Sequence, residues 1–367
     1  MLGYARTFTE RMEWRPAEWW QQVVTLFTVP VSDQVPPPPP PMRPSLFSLS
    51  DIHGDRLRLG ECLRLGNITD TRGVWHAPAG TVLVHTGDAI DRGPATLDVL
   101  DHLQALQKNA SAARSSMVFL LGNHEVMNLM GDLRYVPDAD IESFKGHAAR
   151  ARAFASDGVV GRWLLEHFRV CHLARDTVFV HAGIHPKWLA SDAGGCDGLN
   201  ERAAAELRQL VPSTYELDVA AAQPHDDAML TRYAVWQKAR AHSRSGGPNT
   251  ENRTNTLASS SQEVMLTDGD GPVWYRGYAL EPESVACPLL EVALQQLGAR
   301  RMVVGHTIQE APVGRMRARC GGSLVLTDTG SSRAFNGWLG SGDRAAILAL
   351  DEDGYSAMYV AQAGRED

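Results

Sequence analysis

The motif GDAIDRG at residues 87–93 directly follows the apolar run TVLVHT at residues 81–86. In the same way, GNHE at residues 122–125 follows the run SMVFLL at residues 116–121. Short, β-branched apolar runs that end in glycine and polar residues are typical of buried strands in an α/β sheet. Open α/β sheets place their ligand crevice at the carboxyl ends of such strands, so both motifs predict a functional site at that edge.

The same pattern occurs three more times along the chain. It is found at residues 45–55 (SLFSLS, then DIHGD), 177–183 (TVFV, then HAG) and 301–307 (RMVV, then GHT). Helical patterns occur between the apolar runs, at residues 94–108 and 288–298. Apolar runs that alternate with helical stretches predict an α/β protein whose polar strand ends form one crevice.

Six side chains at these strand ends are oxygen or imidazole donors, with no thiolate among them. Such a set suits hard or borderline divalent metal ions better than a cysteine-based structural zinc site. Six donors exceed what one catalytic ion with open positions needs, whereas two ions about 3.5–4 Å apart can share a carboxylate. Asp88 is the candidate for this bridge because it falls between the early and late donors in the chain. The six candidate ligands are Asp51, His53, Asp88, Asn123, His181 and His306.

A further set of residues indicates a phosphate substrate. Arg92 lies in a glycine-bounded loop, and its planar guanidinium can bind two phosphoryl oxygens at once. Arg276 is the candidate for a second phosphate clamp, and Asn123 is assigned to phosphate as well as to metal. We predict that His124 is the general acid for the leaving oxygen and that Asp91 binds its other ring nitrogen.

At these motifs the sequence resembles the calcineurin-like metallophosphoesterases, and within them the phosphoprotein phosphatases. The resemblance extends over about residues 45–360. The segments HEVMN (124–128), GDLRYV (131–136) and GPVWYRG (271–277) are similar to those of the Shewanella-like, bacterial-type protein phosphatases. The sequence departs from the eukaryotic serine/threonine enzymes at Ser50, where glycine is usual, and at HAG in place of HGG.

The resemblance implies an α/β sandwich of two central mixed β-sheets flanked by helices. It implies that one metal ion is bound by Asp51, His53 and Asp88. It implies that the other ion is bound by Asp88, Asn123, His181 and His306. The implied reaction is attack on a phosphate monoester by a hydroxide bound to both ions, with the acid and phosphate clamps assigned above. We expect manganese as the metal, with iron or zinc as alternatives.

Two functions remain open on these motifs. The first is a phosphoprotein phosphatase that acts on phosphotyrosine, phosphoserine/threonine, or both. The second is a small-molecule phosphohydrolase such as a symmetric dinucleoside tetraphosphatase. The Trp274–Gly277 segment and the Met127-Asn128 pair favour the first function. A catalytically inactive scaffold is disfavoured because all six ligand positions are filled.

Prolines divide the chain. Pro36 to Pro41 are consecutive, and such a run forms an extended polyproline II rod of roughly 19 Å, at about 3.1 Å per residue. Residues 36–44 are therefore predicted to be a spacer between an N-terminal extension, residues 1–35, and a catalytic domain, residues 45–367. The extension has a helical pattern at residues 16–27, and the spacer is a candidate site for a partner that binds proline-rich segments.

Residues 185–270 form a predicted insertion in the catalytic domain. Residues 201–210 and 226–241 have helical periodicity, whereas residues 243–262 are rich in Ser, Asn, Gly and Thr and are predicted to be a loop. Because the insertion lies between the candidate ligand His181 and Arg276, we expect its helical part to shape substrate access.

Charge and composition exclude other classes. The chain has 35 Lys+Arg and 43 Asp+Glu, a net charge of −8, which argues against a nucleic-acid binder that relies on counterion release. No apolar run has the length of a transmembrane helix, so we expect a protein without a transmembrane segment. Five cysteines without a CxxC motif predict no disulfide framework and a reducing, cytoplasmic location, with organelle import left open.

Overall fold

The structure is a computed structural model, and it describes residues 46–189, 194–222, 263–309, 313–351 and 354–360. The helix predicted at residues 16–27 and the proline segment 36–44 lie outside these ranges, as do the helix predicted at 226–241 and the loop predicted at 243–262. The N-terminal extension, the spacer with its partner, and the limits of the catalytic domain therefore stay predictions.

The strands of the described residues form two mixed sheets. In chain order they are β1 (Leu46–Leu49), β2 (Val82–His85), β3 (Ser116–Leu120), β4 (Phe168–Arg169), β5 (Cys171–Ala174), β6 (Thr177–Val180), β7 (Arg301–Val304), β8 (Arg317–Arg319), β9 (Leu324–Leu326), β10 (Ala346–Leu350) and β11 (Tyr355–Tyr359). The first sheet has the order β11-β10-β1-β2-β3-β4, and the second has the order β5-β6-β7-β9-β8. Strands β1 to β4 are parallel, as are β6, β7 and β9, while the remaining pairings are antiparallel.

Helices flank both sheets. They are α1 (Arg56–Leu65), α2 (Thr96–Ala112), α3 (Asn123–Leu129), α4 (Asp138–Ser143), α5 (His147–Phe154), α6 (Val159–His167), α7 (Gly195–Leu210), α8 (Thr214–Ala222), α9 (Gly277–Leu280), α10 (Glu283–Leu297) and α11 (Asn336–Leu339). Short 3₁₀ turns occur at Pro186–Trp188, Cys320–Gly322 and Arg333–Phe335. Among the described helices, none combines the length and the apolar character needed to cross a membrane.

The two sheets pack face to face through one buried apolar layer. Its members come from strands of both sheets and are Leu46, Val84, Leu120, Phe179, Val303, Val325, Leu348 and Leu350. Successive side chains of a strand point to opposite faces, so neighbours such as Leu83 and Val304 pack with the helices in a larger cluster. Both faces of the central strands are buried, which is why their sequences are continuous apolar runs.

The strands and helices predicted within the described residues are found in the structure. The five apolar runs coincide with β1, β2, β3, β6 and β7. The predicted helix 94–108 corresponds to α2, the predicted helix 288–298 overlaps α10, and residues 201–210 lie in α7. The predicted architecture of two mixed sheets flanked by helices is confirmed.

The parallel strands bring their carboxyl ends to one place. The loops after β1, β2 and β3 leave one edge of the first sheet, and the loops after β6 and β7 leave one edge of the second. The two edges meet where Nδ1–H of His181, after β6, donates to the carbonyl of Thr86, after β2, at 2.8 Å. The amide of Gly305, after β7, donates to the His181 carbonyl at 2.8 Å. Loops from both sheets therefore enclose one site.

The prediction that the cysteines form no disulfide is wrong. Cys171 is bonded to Cys196 and Cys287 is bonded to Cys320, while Cys62 is a buried free cysteine. The paired residues are 25 and 33 positions apart and lie in different elements, so the absence of a local CxxC spacing carried no information about them. The predicted cytoplasmic location therefore loses its support from cysteine usage.

We predict that alkylation of the denatured, unreduced protein adds one label per chain, at Cys62. When the protein is reduced before alkylation, the total should rise to five labels per chain. The native protein should take up none, because Cys62 is fully buried and burial raises the pKa of its thiol to about 12. Intact-mass spectrometry measures each number, and Cys62→Ser is the control that removes the single label. Five labels without reduction would contradict the two disulfides.

Candidate active site

A single buried carboxylate holds the loop after β2. The Glu125 side chain accepts hydrogen bonds from the amides of Asp88 (2.9 Å), Ala89 (2.8 Å) and Gly122 (2.8 Å). Burial, together with the charge of Asp88, raises the pKa of Glu125 to about 7. Because Glu125 lies in α3, after β3, it ties the loops of two neighbouring strands together. This contact gives a structural reason for the pairing of the GDAIDRG and GNHE motifs.

Unfavourable backbone conformations are concentrated in the loops of this site. The residues with positive φ values of 48°, 53°, 66°, 65° and 64° are His53, Asp88, Asp91, Arg92 and His306, respectively. Residues other than glycine rarely adopt this conformation, and such strain clusters at functional sites. The loops also leave no room for a side chain at Gly122, where a Cβ would overlap the Asp88 carboxylate.

Two groups of buried side chains could hold metal ions, and Asp88 belongs to both. The first group is His53, Asp88 and His124, and the second is Asp88, His181 and His306. Within each group the candidate ligand atoms lie within 4.8 Å of one another. Asp88 Oδ2 lies 3.7 Å from His53 Nε2 and 3.5 Å from His181 Nε2. This geometry suits the bridging role predicted for Asp88.

Backbone carbonyls determine which ring nitrogen three of the histidines present to the site. The N–H groups at His53 Nδ1, His181 Nδ1 and His306 Nε2 donate to the carbonyls of Ile90, Thr86 and Trp274 at 3.1, 2.8 and 3.2 Å. In the neutral rings the opposite nitrogens carry no hydrogen and can coordinate a metal ion. A set of imidazoles with carboxylate and amide oxygens fits divalent ions.

The electrostatic surroundings of His53 and His181 shift the pKa values of the two rings in opposite directions. Burial, followed by the charge of His124, lowers the pKa of His53 to about 3. Burial also disfavours a proton on His181, but the carboxylates of Asp88, Asp51 and Glu125 together outweigh it and raise the pKa of His181 to about 9. The surroundings of His181 therefore favour positive charge, which suits a cation at its Nε2.

The remaining two predicted ligands are placed differently. The side-chain oxygen of Asn123 lies 3.2 Å from His181 Nε2, so it faces the second group. The Asp51 carboxylate is in neither group and accepts hydrogen bonds from the His306 amide, at 3.1 and 3.2 Å, and from the Ser50 hydroxyl. Asp51 thus holds the loop of His306, and its role as a ligand stays a prediction.

The predicted acid and its partner are brought together. The Nδ1–H of His124 donates to Asp91 Oδ2 at 2.9 Å, and His124 Nε2 lies 3.9 Å from Asp88 Oδ2. Burial disfavours a proton on His124, but Asp88 and the hydrogen bond to Asp91 outweigh it and raise the pKa of the ring. The arrangement suits proton donation from Nε2 into the site.

A buried ion-pair network supports Asp91, and no motif in the sequence indicates it. Arg150 is fully buried and donates to Asp91 at 3.1 Å and to Asp140 at 2.8 Å. Its guanidinium lies over the rings of Phe144 and Phe154, at 4.6 and 5.0 Å from their centroids. The network fixes the carboxylate that in turn holds the candidate acid His124.

The two predicted phosphate clamps line one cavity with members of both metal-binding groups, and its volume is about 750 Å³. The Arg92 guanidinium lies over the Tyr135 ring, 3.9 Å from its centroid. Arg276 donates to the His306 carbonyl and the Thr307 hydroxyl, both at 3.1 Å. The two guanidinium groups come from different loops, so they can contact one phosphate from two directions.

Asp328 is a buried cavity residue to which the sequence motifs assign no role. Its side chain accepts a hydrogen bond from the Gly330 amide at 2.9 Å. Burial, followed by the charge of Asp51, raises the pKa of Asp328 well above its ordinary value. Its segment, TDTG at residues 327–330, reads as an ordinary turn, so no pattern distinguishes this carboxyl from a turn residue.

This fold and this arrangement of ligands define a class of protein. The family model for the calcineurin-like phosphoesterases matches residues 46–310. The chain therefore belongs to the calcineurin-like phosphoesterase family, whose members are hydrolases that use divalent metal ions.

The chain is also similar to individual proteins. It is 27% identical to an uncharacterized protein of Schizosaccharomyces pombe, over 87% of this chain and 81% of the relative. It is 23% identical to Shewanella-like protein phosphatase 2 of Arabidopsis thaliana, over 78% and 71%. A solved structure of a cold-active protein tyrosine phosphatase is 25% identical, with a TM-score of 0.60, over 86% of this chain and 75% of that chain.

We predict that Arg150→Ala lowers the free energy of unfolding by about 3–5 kcal/mol, because it leaves Asp91 and Asp140 buried without their partner. Urea denaturation measures the change. The matched control is Arg152→Ala on the same helix, which breaks only an exposed ion pair with Asp218 and should lower it by less than about 1 kcal/mol. Equal losses in the two variants would contradict a supporting role for the buried network.

Proposed function

We propose that the protein is a metal-dependent phosphoprotein phosphatase that hydrolyses phosphate monoesters on side chains, with phosphotyrosine as the preferred residue and phosphoserine/threonine as further candidates. The observation that carries the proposal is one cavity lined by members of two ligand groups that share Asp88, with His124 of the first group hydrogen-bonded to Asp91. The proposal is supported by similarity to the Arabidopsis protein phosphatase, which favours a protein substrate, and to the cold-active protein tyrosine phosphatase, which favours phosphotyrosine.

The ligand groups, the two arginines and the His124–Asp91 pair would then have separate parts in the reaction. Divalent ions at the two groups, manganese by preference, would supply an activated water and positive charge for the phosphoryl oxygens. Arg92 and Arg276 orient the phosphate through their planar guanidinium groups. His124 donates a proton from Nε2 to the leaving oxygen, while Asp91 accepts the Nδ1–H bond and stabilises the charged ring.

The substrate class is tested with protein that has been stripped by chelator and supplied again with Mn²⁺, Fe²⁺ or Zn²⁺. We expect turnover of a phosphotyrosine peptide at a higher kcat/KM than of a phosphothreonine peptide or a dinucleoside tetraphosphate. A preference for the dinucleoside tetraphosphate would replace the proposal with small-molecule hydrolysis. No turnover of any substrate with any metal would refute an enzyme of this kind.

We predict that His124→Asn lowers kcat by about 10²–10⁴-fold, the usual contribution of a general acid. This variant should retain most of the bound metal, because the second ligand group does not include His124 and the first keeps His53 and Asp88. Asp88→Asn should lower both kcat and metal content, because Asp88 belongs to both ligand groups. Steady-state kinetics and metal analysis of the two variants measure these effects. Equal metal loss in both would contradict the separate roles.

The acid role also predicts a dependence on the leaving group. Because a good leaving group needs little protonation, His124→Asn should impair hydrolysis of para-nitrophenyl phosphate less than hydrolysis of an alkyl phosphate such as phosphoserine. The ratio of kcat values, parent over variant, is measured for each substrate. If His124→Asn lowered kcat by the same factor for both substrates, the result would contradict the assignment of His124 as the general acid.

A further inference from the structure

A second cavity, of about 540 Å³, adjoins the catalytic cavity. The two share Arg92, Tyr135, Phe335 and Trp338 as lining residues. Because the same four side chains line both, a molecule bound at the catalytic groups can extend past them into the second cavity. The sequence motifs do not indicate this cavity, since two of its walls come from the 3₁₀ turn Arg333–Phe335 and from α11.

The second cavity lies on the side of the candidate acid. The His124 ring is 5.1 Å from the Tyr135 ring, and the His53 ring is 5.1 Å from the Phe335 ring, measured between centroids. Trp274 and Arg276, which line the catalytic cavity, are not among the residues that line the second one. Tyr135 and Phe335 therefore connect the candidate acid and its neighbour His53 to the second cavity.

The walls of the second cavity combine aromatic and aliphatic side chains with two arginines. Besides the shared rings they include Val136 and Pro137. The Arg134 guanidinium, which also lines the cavity, is bonded to the Asp132 carboxylate at 2.6 and 2.8 Å, so its charge is balanced there. The chemistry of the cavity therefore matches an apolar or aromatic group rather than a second phosphate.

Trp338 is the clearest sign of a binding surface. It is 69% exposed, although a tryptophan side chain usually buries most of its area, and it lies in the short helix α11. Its ring packs edge-to-face against Phe335, with 6.3 Å between the centroids. A large ring held against a second ring beside an open cavity provides rigid contact area at a small entropic cost.

We propose that the second cavity binds a residue of the substrate that flanks the phosphorylated side chain, and that it selects an apolar or aromatic residue there. The inference rests on the proposed function as a protein phosphatase, and it deepens that function to a sequence preference. Tyr135, Phe335 and Trp338 determine this preference by contact with the flanking residue, while Arg92 remains on the phosphate.

The test uses the full chain with Mn²⁺ and two sets of phosphotyrosine peptides. In one set the residue before the phosphotyrosine is Ala, Leu, Trp or Asp, and in the other set the residue after it is varied in the same way. We expect kcat/KM to be about tenfold higher for Leu or Trp than for Ala at one of the two positions, mainly through a lower KM, and no gain for Asp.

The role of the aromatic rings is tested by measuring the peptide preference in variants of the protein. Trp338→Ala should reduce the ratio of kcat/KM values, Leu or Trp peptide over Ala peptide, to near one, and Trp338→Phe should retain most of it. Leu280→Ala is the matched control, because Leu280 is 68% exposed and lines the catalytic cavity without lining the second one, so this variant should keep the ratio. Comparing ratios within each variant cancels general losses of activity or of folded protein.

Each outcome decides one claim. Turnover of all peptides at equal kcat/KM would overturn the flanking-residue preference and leave the protein phosphatase assignment in place. A preference that survives in Trp338→Ala, or that disappears equally in Leu280→Ala, would overturn the assignment to the second cavity. Failure of every peptide together with hydrolysis of a dinucleoside tetraphosphate would overturn the proposed function itself.

Discussion

The site depends on the contacts of one residue, Asp88, where loops from both sheets meet. Its carbonyl accepts the amides of Ile52 and His53, both at 3.0 Å, and its amide donates to Glu125 at 2.9 Å. Its carboxylate accepts the His124 amide at 3.0 Å and faces histidines of three loops at 3.5 to 3.9 Å. These contacts hold Asp88 at a positive φ that otherwise costs on the order of 1–3 kcal/mol. Without the contacts of Asp88, the two ligand groups and His124 would no longer be held close to one another.

The central strands were predictable from the sequence because both of their faces are buried, which leaves continuous apolar runs, and the site was predictable because polar motifs end those runs. Contacts between distant segments were not predictable in the same way. Arg150 and the exposed Arg152 occur in one segment, HAARARAF, and only the fold decides which of them lies beneath Asp91. The cysteine prediction was wrong for the same reason, since the partners of each disulfide come from separate elements.

The overall charge and the site act in opposite directions on a phosphorylated substrate. A chain with a net charge of −8 repels a phosphate at long range, so capture has to be local. Arg92 and Arg276 supply positive charge in the cavity, and cations at the two ligand groups would add more. The aromatic walls beyond Arg92 would then supply selectivity without further charge. Under this account, phosphate contacts orient the substrate and apolar contacts distinguish one phosphorylated residue from another.

The central claim is that Asp88 is shared by two metal ions. Anomalous diffraction at the manganese absorption edge, from crystals grown with Mn²⁺, tests it directly, because it locates each ion independently of activity. We predict two anomalous peaks about 3.5–4 Å apart, one beside His53 and one beside His181 and His306, with the Asp88 carboxylate between them. A single peak, or two peaks of which only one contacts Asp88, would contradict the account.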